Sequence, residues 1–132
     1  MSKHVLVVDD SPVLRSLYAE WLAAYTATPV VSVFAANGRE ALERLAESPL
    51  LDLIITDVKM PEMDGLTFLT HVRRDYASFE IPVILASTRA NAVVEHEKRG
   101  AELGITAHLL KPFGQDQLHA MLDRVWGIPV ST

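Results

Sequence analysis

Hydrophobic and polar positions along this chain follow two periods, and the switches between them mark out the elements. His4-Val-Leu-Val-Val8 is a short apolar run, rich in β-branched residues, that stops at Asp9-Asp10. Such a run bounded by acids predicts a buried strand. Ser11-Pro12 then opens a helix, because Pro at the first helical position gives up no hydrogen bond and a preceding Ser or Asp can cap it. Leu14, Leu17, Tyr18, Trp21, Leu22 and Tyr25 follow at the spacing of one buried helical face. The aromatics belong to that core face and do not form a cofactor box.

The alternation continues. Thr28-Pro29 breaks the first helix, and Val30 to Phe34 is the next strand. Asn37-Gly-Arg-Glu40 has capping-box spacing, with Ala41, Leu42, Leu45 and Ala46 on the inner face of the helix that follows. Ser48-Pro49 ends it. A third strand covers Asp52 to Thr56, and Asp64 caps a helix facing inward through Leu66, Phe68, Leu69, Val72 and Tyr76. Ile81 to Ala86 is a fourth strand, with Pro82 tolerable near its start. The segment from Ala90 to Leu103 predicts a weakly packed helix, because the charged block Glu95 to Arg99 leaves few apolar anchors; Gly104 ends it. Ala107 to Leu110 is a short fifth strand, and Leu118, Met121, Leu122, Val125 and Trp126 mark a final amphipathic helix.

Five short strands alternating with five helices predict an α/β fold: a single doubly wound parallel sheet with right-handed crossovers and helices on both faces. At 132 residues the chain is expected to form one domain, residues 1–132 with a core of about 3–126, and no linker, repeat or low-complexity stretch interrupts it. The absence of Cys excludes disulfides and thiolate metal sites and suits a reducing cytosol. No apolar run reaches the roughly 18 residues of a membrane span, and no signal peptide precedes the first strand. A net charge of −5 argues against a nucleic-acid surface. These features predict a cytoplasmic protein without membrane or nucleic-acid contacts of its own.

The stretch from Leu51 to Gly65 carries the chemistry. Its apolar run stops at Asp57, and Met60-Pro61 and Asp64-Gly65 follow. Alone, Asp57 would be an ordinary solvated loop acid. A parallel sheet, however, gathers all strand C-termini on one edge, where ligands bind in open α/β sheets. Asp9, Asp10, Asp57, Ser87 and Lys111 then converge from four strands. Like charges packed together repel unless a cation intervenes. Hard oxygen ligands without Cys point to Mg²⁺, and Lys111 offers a point charge for a phosphoryl group.

In this pattern the chain resembles the receiver domain of two-component response regulators, chemotaxis receivers included. The features are Asp9-Asp10 after the first strand, Asp57 with Met60-Pro61 and Asp64-Gly65, Ser87 after the fourth strand and Lys111-Pro112 after the fifth. The resemblance covers Lys3 to about Trp126. It implies a (βα)5 flavodoxin-like fold with strand order 2-1-3-4-5. It implies that Asp57 accepts a phosphoryl group from a phosphohistidine on a partner histidine kinase or histidine phosphotransfer protein. Asp10, Asp57 and the backbone carbonyl of Lys59 would hold Mg²⁺ or Mn²⁺, with Asp9 acting mainly through water. Ser87 and Lys111 would bind the phosphoryl oxygens, and the Lys111-Pro112 bond would be cis. Phosphorylation would switch a partner-binding surface made by the fourth helix, fifth strand and fifth helix, with Ser87 and His108 as switch residues. The domain would be a signalling switch and not a turnover enzyme, a monomer or weak homodimer whose effector is open. The start at Met1 favours an N-terminal position, in a stand-alone regulator or a longer protein.

Several positions depart from the family pattern. His108 stands where Tyr or Phe is frequent, so the switch is expected to be altered or pH-sensitive, which partner binding at about pH 6 and about pH 8 tests. Lys59 and Arg89 place cations at the pocket mouth, and Thr88 stands where Ala is usual. These three are expected to change the lifetime of the acyl phosphate, which dephosphorylation rates of Lys59→Ala and Arg89→Ala variants test. His4, His71, His96 and His119 lack metal-ligand spacing. A Mg²⁺-dependent phosphohydrolase with an Asp nucleophile would want an acid two residues after it, where Lys59 stands. An inactive pseudo-receiver is disfavoured because every chemical position is filled, and a flavin phosphate would meet repulsion from Asp9-Asp10.

Overall fold

A computed structural model describes residues 2–47, 50–75, 81–88 and 103–128. The chain begins with β1 (Lys3–Val8), α1 (Pro12–Ala23), β2 (Val30–Ala35), α2 (Gly38–Glu47) and β3 (Leu53–Asp57). It continues with α3 (Gly65–Asp75), β4 (Val83–Ser87), β5 (Ala107–Leu110) and α4 (Gln115–Val125). All strand pairs are parallel, in the order β2-β1-β3-β4-β5 that the family resemblance implies. The helix expected over 90–103 lies outside the described residues except at Leu103, which is buried, and Gly104 follows with φ +68°. α4 is therefore the fifth helix of the sequence pattern. Ser48-Pro49, Tyr76 and Arg89 also lie outside the described residues.

Strand residues alternate between two cores, as the two-residue period requires. Leu6, Val8, Ile54, Val83 and Leu85 pack with α2, α3 and Leu103. Val5, Val7, Leu53, Ile55, Ile84 and Leu109 face the other way, under α1 and α4. The central strands are buried on both faces, which is why their sequences read as continuous apolar runs.

Local signals act as expected at most boundaries. Ser11 Oγ accepts the Leu14 N–H at 3.2 Å with Pro12 at the first helical position. Asp64 Oδ1 accepts the Thr67 N–H at 2.8 Å. Asn37 Oδ1 accepts the Glu40 N–H at 2.8 Å, but the Glu40 carboxylate lies 3.6 Å from Arg44, so only half of the capping box forms. Two expectations are corrected. α1 ends at Ala23, where Ala24 and Tyr25 N–H groups close the last turn on Glu20 and Leu22 carbonyls, so Tyr25 is buried from the segment beyond the helix. Ala46, expected on the inner face of α2, is exposed, because Ala41 and Leu45 already fill the contact with the sheet.

Candidate functional site

Register decides which side chains meet at the carboxyl edge. Val8 pairs with Ala35 and Thr56, Asp57 with Ala86, and Ser87 with Leu110. Asp9 and Lys111 are each the first residue past a strand, and Asp57 and Ser87 are the last within theirs. Largely apolar, buried strands thus deliver polar and charged groups to one place, on well-packed elements.

Lys111 is the centre of the arrangement. Its Nζ lies 2.8 Å from Asp9 Oδ2 and 3.1 Å from Asp57 Oδ2. The Lys111 N–H donates to the Ser87 carbonyl at 2.7 Å, tying the end of β5 to the end of β4. Asp9 is fully buried, and its other oxygen accepts the Ser11 N–H at 2.9 Å. Asp57 Oδ1 accepts the N–H of Val58 at 2.8 Å. Asp10 is exposed, and carboxylate oxygens of Asp9, Asp10 and Asp57 lie within 4.8 Å of one another.

The electrostatics express the crowding. Burial pushes the Asp57 carboxyl above its ordinary 3.8; Lys111 pulls it down, Asp9 adds like-charge repulsion, and the balance is upward. Burial acts to lower the Lys111 ammonium, but its contacts with Asp9 and Asp57 outweigh that and hold it above 10.5. One ammonium therefore serves two carboxylates, and the shorter contact goes to Asp9. Three carboxylates thus face a single contacting ammonium among the described residues. Three hard carboxylates with an exposed member suit a divalent, oxygen-preferring cation such as Mg²⁺, which retains several waters.

The other expected residues divide by exposure. Ser87 is buried, whereas Lys59 and Thr88 are exposed beside the same edge. His108 is half-buried on β5, opposite Leu85, two residues before the exposed Leu110. Of the remaining His residues, His71 Nδ1 lies 2.7 Å from Arg74 Nη2. His119 Nε2 donates to the Trp21 carbonyl at 2.6 Å, so both are satisfied by protein groups.

Three supporting residues escaped the sequence reading. Arg15 Nη1 donates to the Asp9 carbonyl at 2.7 Å, fixing the first acid to α1. Gly65 packs so closely under Asp57 that a Cβ there would stand 1.9 Å from the Asp57 carbonyl oxygen. Arg73, buried at the end of α3, donates to the carbonyls of Ile81, Leu103 and Gly104 at 2.7 to 3.1 Å. Only the Asp-Gly pair carried a signal, and it suggested a turn.

A doubly wound parallel sheet carrying an acid trio, a lysine and a serine at its carboxyl edge defines a class of phosphate-handling switch domains. The chain belongs to the response regulator receiver domain family, whose model matches residues 5–123. The chemotaxis response regulator CheY4 of Vibrio cholerae is 34% identical, with a TM-score of 0.79 over 95% of this chain and 99% of that one. A protein-glutamate methylesterase/protein-glutamine glutaminase of Syntrophomonas wolfei is 33% identical over 119 residues, 90% of this chain and 32% of the relative. The regulator of RpoS of Escherichia coli is 37% identical over 113 residues, 85% of this chain and 31% of that protein. The chain thus spans about a third of the length of these two relatives. The expected cis bond is present at Lys111-Pro112. Among the described residues no helix is long and apolar enough to cross a membrane.

Proposed function

We propose that Asp57 is the phosphoacceptor of this receiver and takes its phosphoryl group from a phosphohistidine of a histidine kinase or phosphotransfer protein. A carboxylate oxygen of Asp57 forms the new bond to phosphorus. The P–N bond breaks, and its electron pair leaves with the imidazole. The observation that carries this reading is the placement of Lys111 Nζ against both Asp9 and Asp57 on the carboxyl edge of the sheet. The same ammonium can follow the phosphoryl oxygens once they arrive, and the Ser87 hydroxyl donates to them from the end of β4.

Asp10 and Asp57 would hold Mg²⁺ directly together with the Lys59 carbonyl. Asp9 would act mainly through water, because both of its oxygens already accept hydrogen bonds from Lys111 and Ser11. When bound, Mg²⁺ neutralises charge on the acids and on the incoming phosphoryl group. The domain is a switch and not a turnover enzyme. Phosphorylation adds roughly −1.5 to −2 charges at one strand end, which Ser87 and Lys111 transmit to β5 and His108. Lys59 and Thr88, exposed at the mouth, set the access of water to the acyl phosphate. The site works in the cytoplasm, in a monomer or weak homodimer whose effector binds the β5 face.

Incubation with Mg²⁺ and a small acyl phosphate donor tests the chemistry. The wild-type chain should gain one hydroxylamine-sensitive phosphoryl group, and Asp57→Asn should gain none. Equal labelling of the two would reject Asp57 as acceptor.

A further inference from the structure

Lys111 is held from two sides. On the sheet side its N–H is tied to Ser87. On the helix side, two residues along the chain, the ring of Phe113 is clasped by two rings of α1. Phe113 lies 5.7 Å from Tyr18 and 5.8 Å from Trp21, centroid to centroid, and the two α1 rings meet edge-on at 6.2 Å. All three pairs of the triangle are in contact range with tilted or T-shaped geometry, the preferred arrangement for aromatic groups. Tyr18 is fully buried, while Trp21 and Phe113 are partly so.

The same helix holds the acid that faces the lysine. The first turn of α1 is fastened to Asp9 by the Ser11 N–H on its carboxylate and by Arg15 on its carbonyl. One rigid element therefore grips Asp9 at its start and, through Tyr18 and Trp21 in its second half, the Lys111 turn. The ammonium is thereby set against the acids by the length of α1 between Ser11 and Trp21. Burial and the charges of Asp9 and Asp57 raise the Tyr18 phenol above its ordinary 10.0, which places that ring within the field of the same acids.

We propose that Tyr18 and Trp21 are positioning residues for phosphoryl transfer, clasping Phe113 so that its turn presents the Lys111 ammonium to Asp9 and Asp57. The inference rests on the reading of Lys111 as the group that binds the phosphoryl oxygens. It makes a prediction that mere core packing does not. Lys111 shares Asp9 and Asp57 with any bound cation, so a loosened ammonium weakens phosphoryl binding while leaving the acids freer for Mg²⁺.

The test measures two affinities by calorimetry, for Mg²⁺ alone and for beryllofluoride at saturating Mg²⁺, in wild type, Trp21→Leu and Phe113→Leu. Trp21 is only partly buried, so its variant keeps the experiment interpretable should Phe113→Leu fold poorly. Beryllofluoride affinity should fall about tenfold in each variant, while Mg²⁺ affinity stays level or rises. Trp21→Phe, which keeps a ring on Phe113, should recover most of the loss. Parallel loss of both affinities, or an unchanged beryllofluoride affinity, overturns the inference. A wild-type chain that binds Mg²⁺ but not beryllofluoride overturns the phosphoacceptor reading and this inference with it.

Discussion

Asp57 shows most plainly how a residue's surroundings set its chemistry. In the fold its carboxyl holds a proton more tightly than in the unfolded chain, because burial and Asp9 outweigh Lys111. The ionised form therefore subtracts stability above the folded pKa, and the subtraction fades as pH falls toward the ordinary 3.8. Without divalent cation, Asp57→Asn should melt about 3 °C higher than wild type near neutral pH, corresponding to about 1 kcal/mol. The difference should narrow steadily as the buffer is made more acidic. Thermal melts followed by circular dichroism in a chelating buffer check both parts, and an Asn variant less stable than wild type at neutral pH would contradict the balance of charges described above. Gly65 is the complementary case: its missing side chain lets α3 begin against the Asp57 carbonyl, so the Asp-Gly pair serves close approach as well as turning.

At the scale of elements, the site depends on loops fixed by groups far from the chemistry. Arg73 joins the end of α3 to the approaches of β4 and β5 through the carbonyls of Ile81, Leu103 and Gly104. A buried guanidinium with such geometry fills space and satisfies several backbone acceptors at once. Arg73→Met keeps much of the volume and removes the donors. It should cost about 2 to 4 kcal/mol in urea unfolding, since buried carbonyls are left without hydrogen-bond donors. A loss below about 0.5 kcal/mol would show that water replaces the guanidinium without penalty. Periodicity could not point to Arg73, because an Arg in a helix reads as a solvated charge unless the surrounding backbone is known. Ala46 failed in the opposite direction: an apolar residue fits the inner-face spacing, yet a small side chain at the edge of the stripe is as easily left outside.

For the whole molecule, a cation bound by the acid cluster would relieve its repulsion, and metal and stability would then be linked by mass action. Mg²⁺ should raise the melting temperature of the wild-type chain with concentration. Asp10 is exposed and makes no side-chain hydrogen bond among the described residues, so Asp10→Asn should leave the metal-free melting temperature nearly unchanged while removing most of the Mg²⁺ response. Calorimetric scans across a Mg²⁺ series separate the two effects. An undiminished response in Asp10→Asn would exclude that carboxylate as a ligand.

The order of strands and helices, the doubly wound class and the gathering of Asp9, Asp10, Asp57, Ser87 and Lys111 at the carboxyl edge were legible in the sequence. Buried parallel strands impose apolar runs, and four of the runs here end on, or are followed at once by, a charged or hydroxyl-bearing residue: Asp9 after β1, Asp57 in β3, Ser87 in β4 and Lys111 after β5. The family resemblance added the strand order and the cis Lys111-Pro112 bond. What only the tertiary structure decided is how those residues are held. The sharing of Lys111 between Asp9 and Asp57, the grip of α1 on both the acid and the Phe113 turn, the closeness of Gly65 to Asp57 and the three-carbonyl anchor at Arg73 are contacts between distant parts of the chain. Periodicity records which face of an element is buried. It does not record which partner that face meets, and in this protein the choice of partner positions the charges.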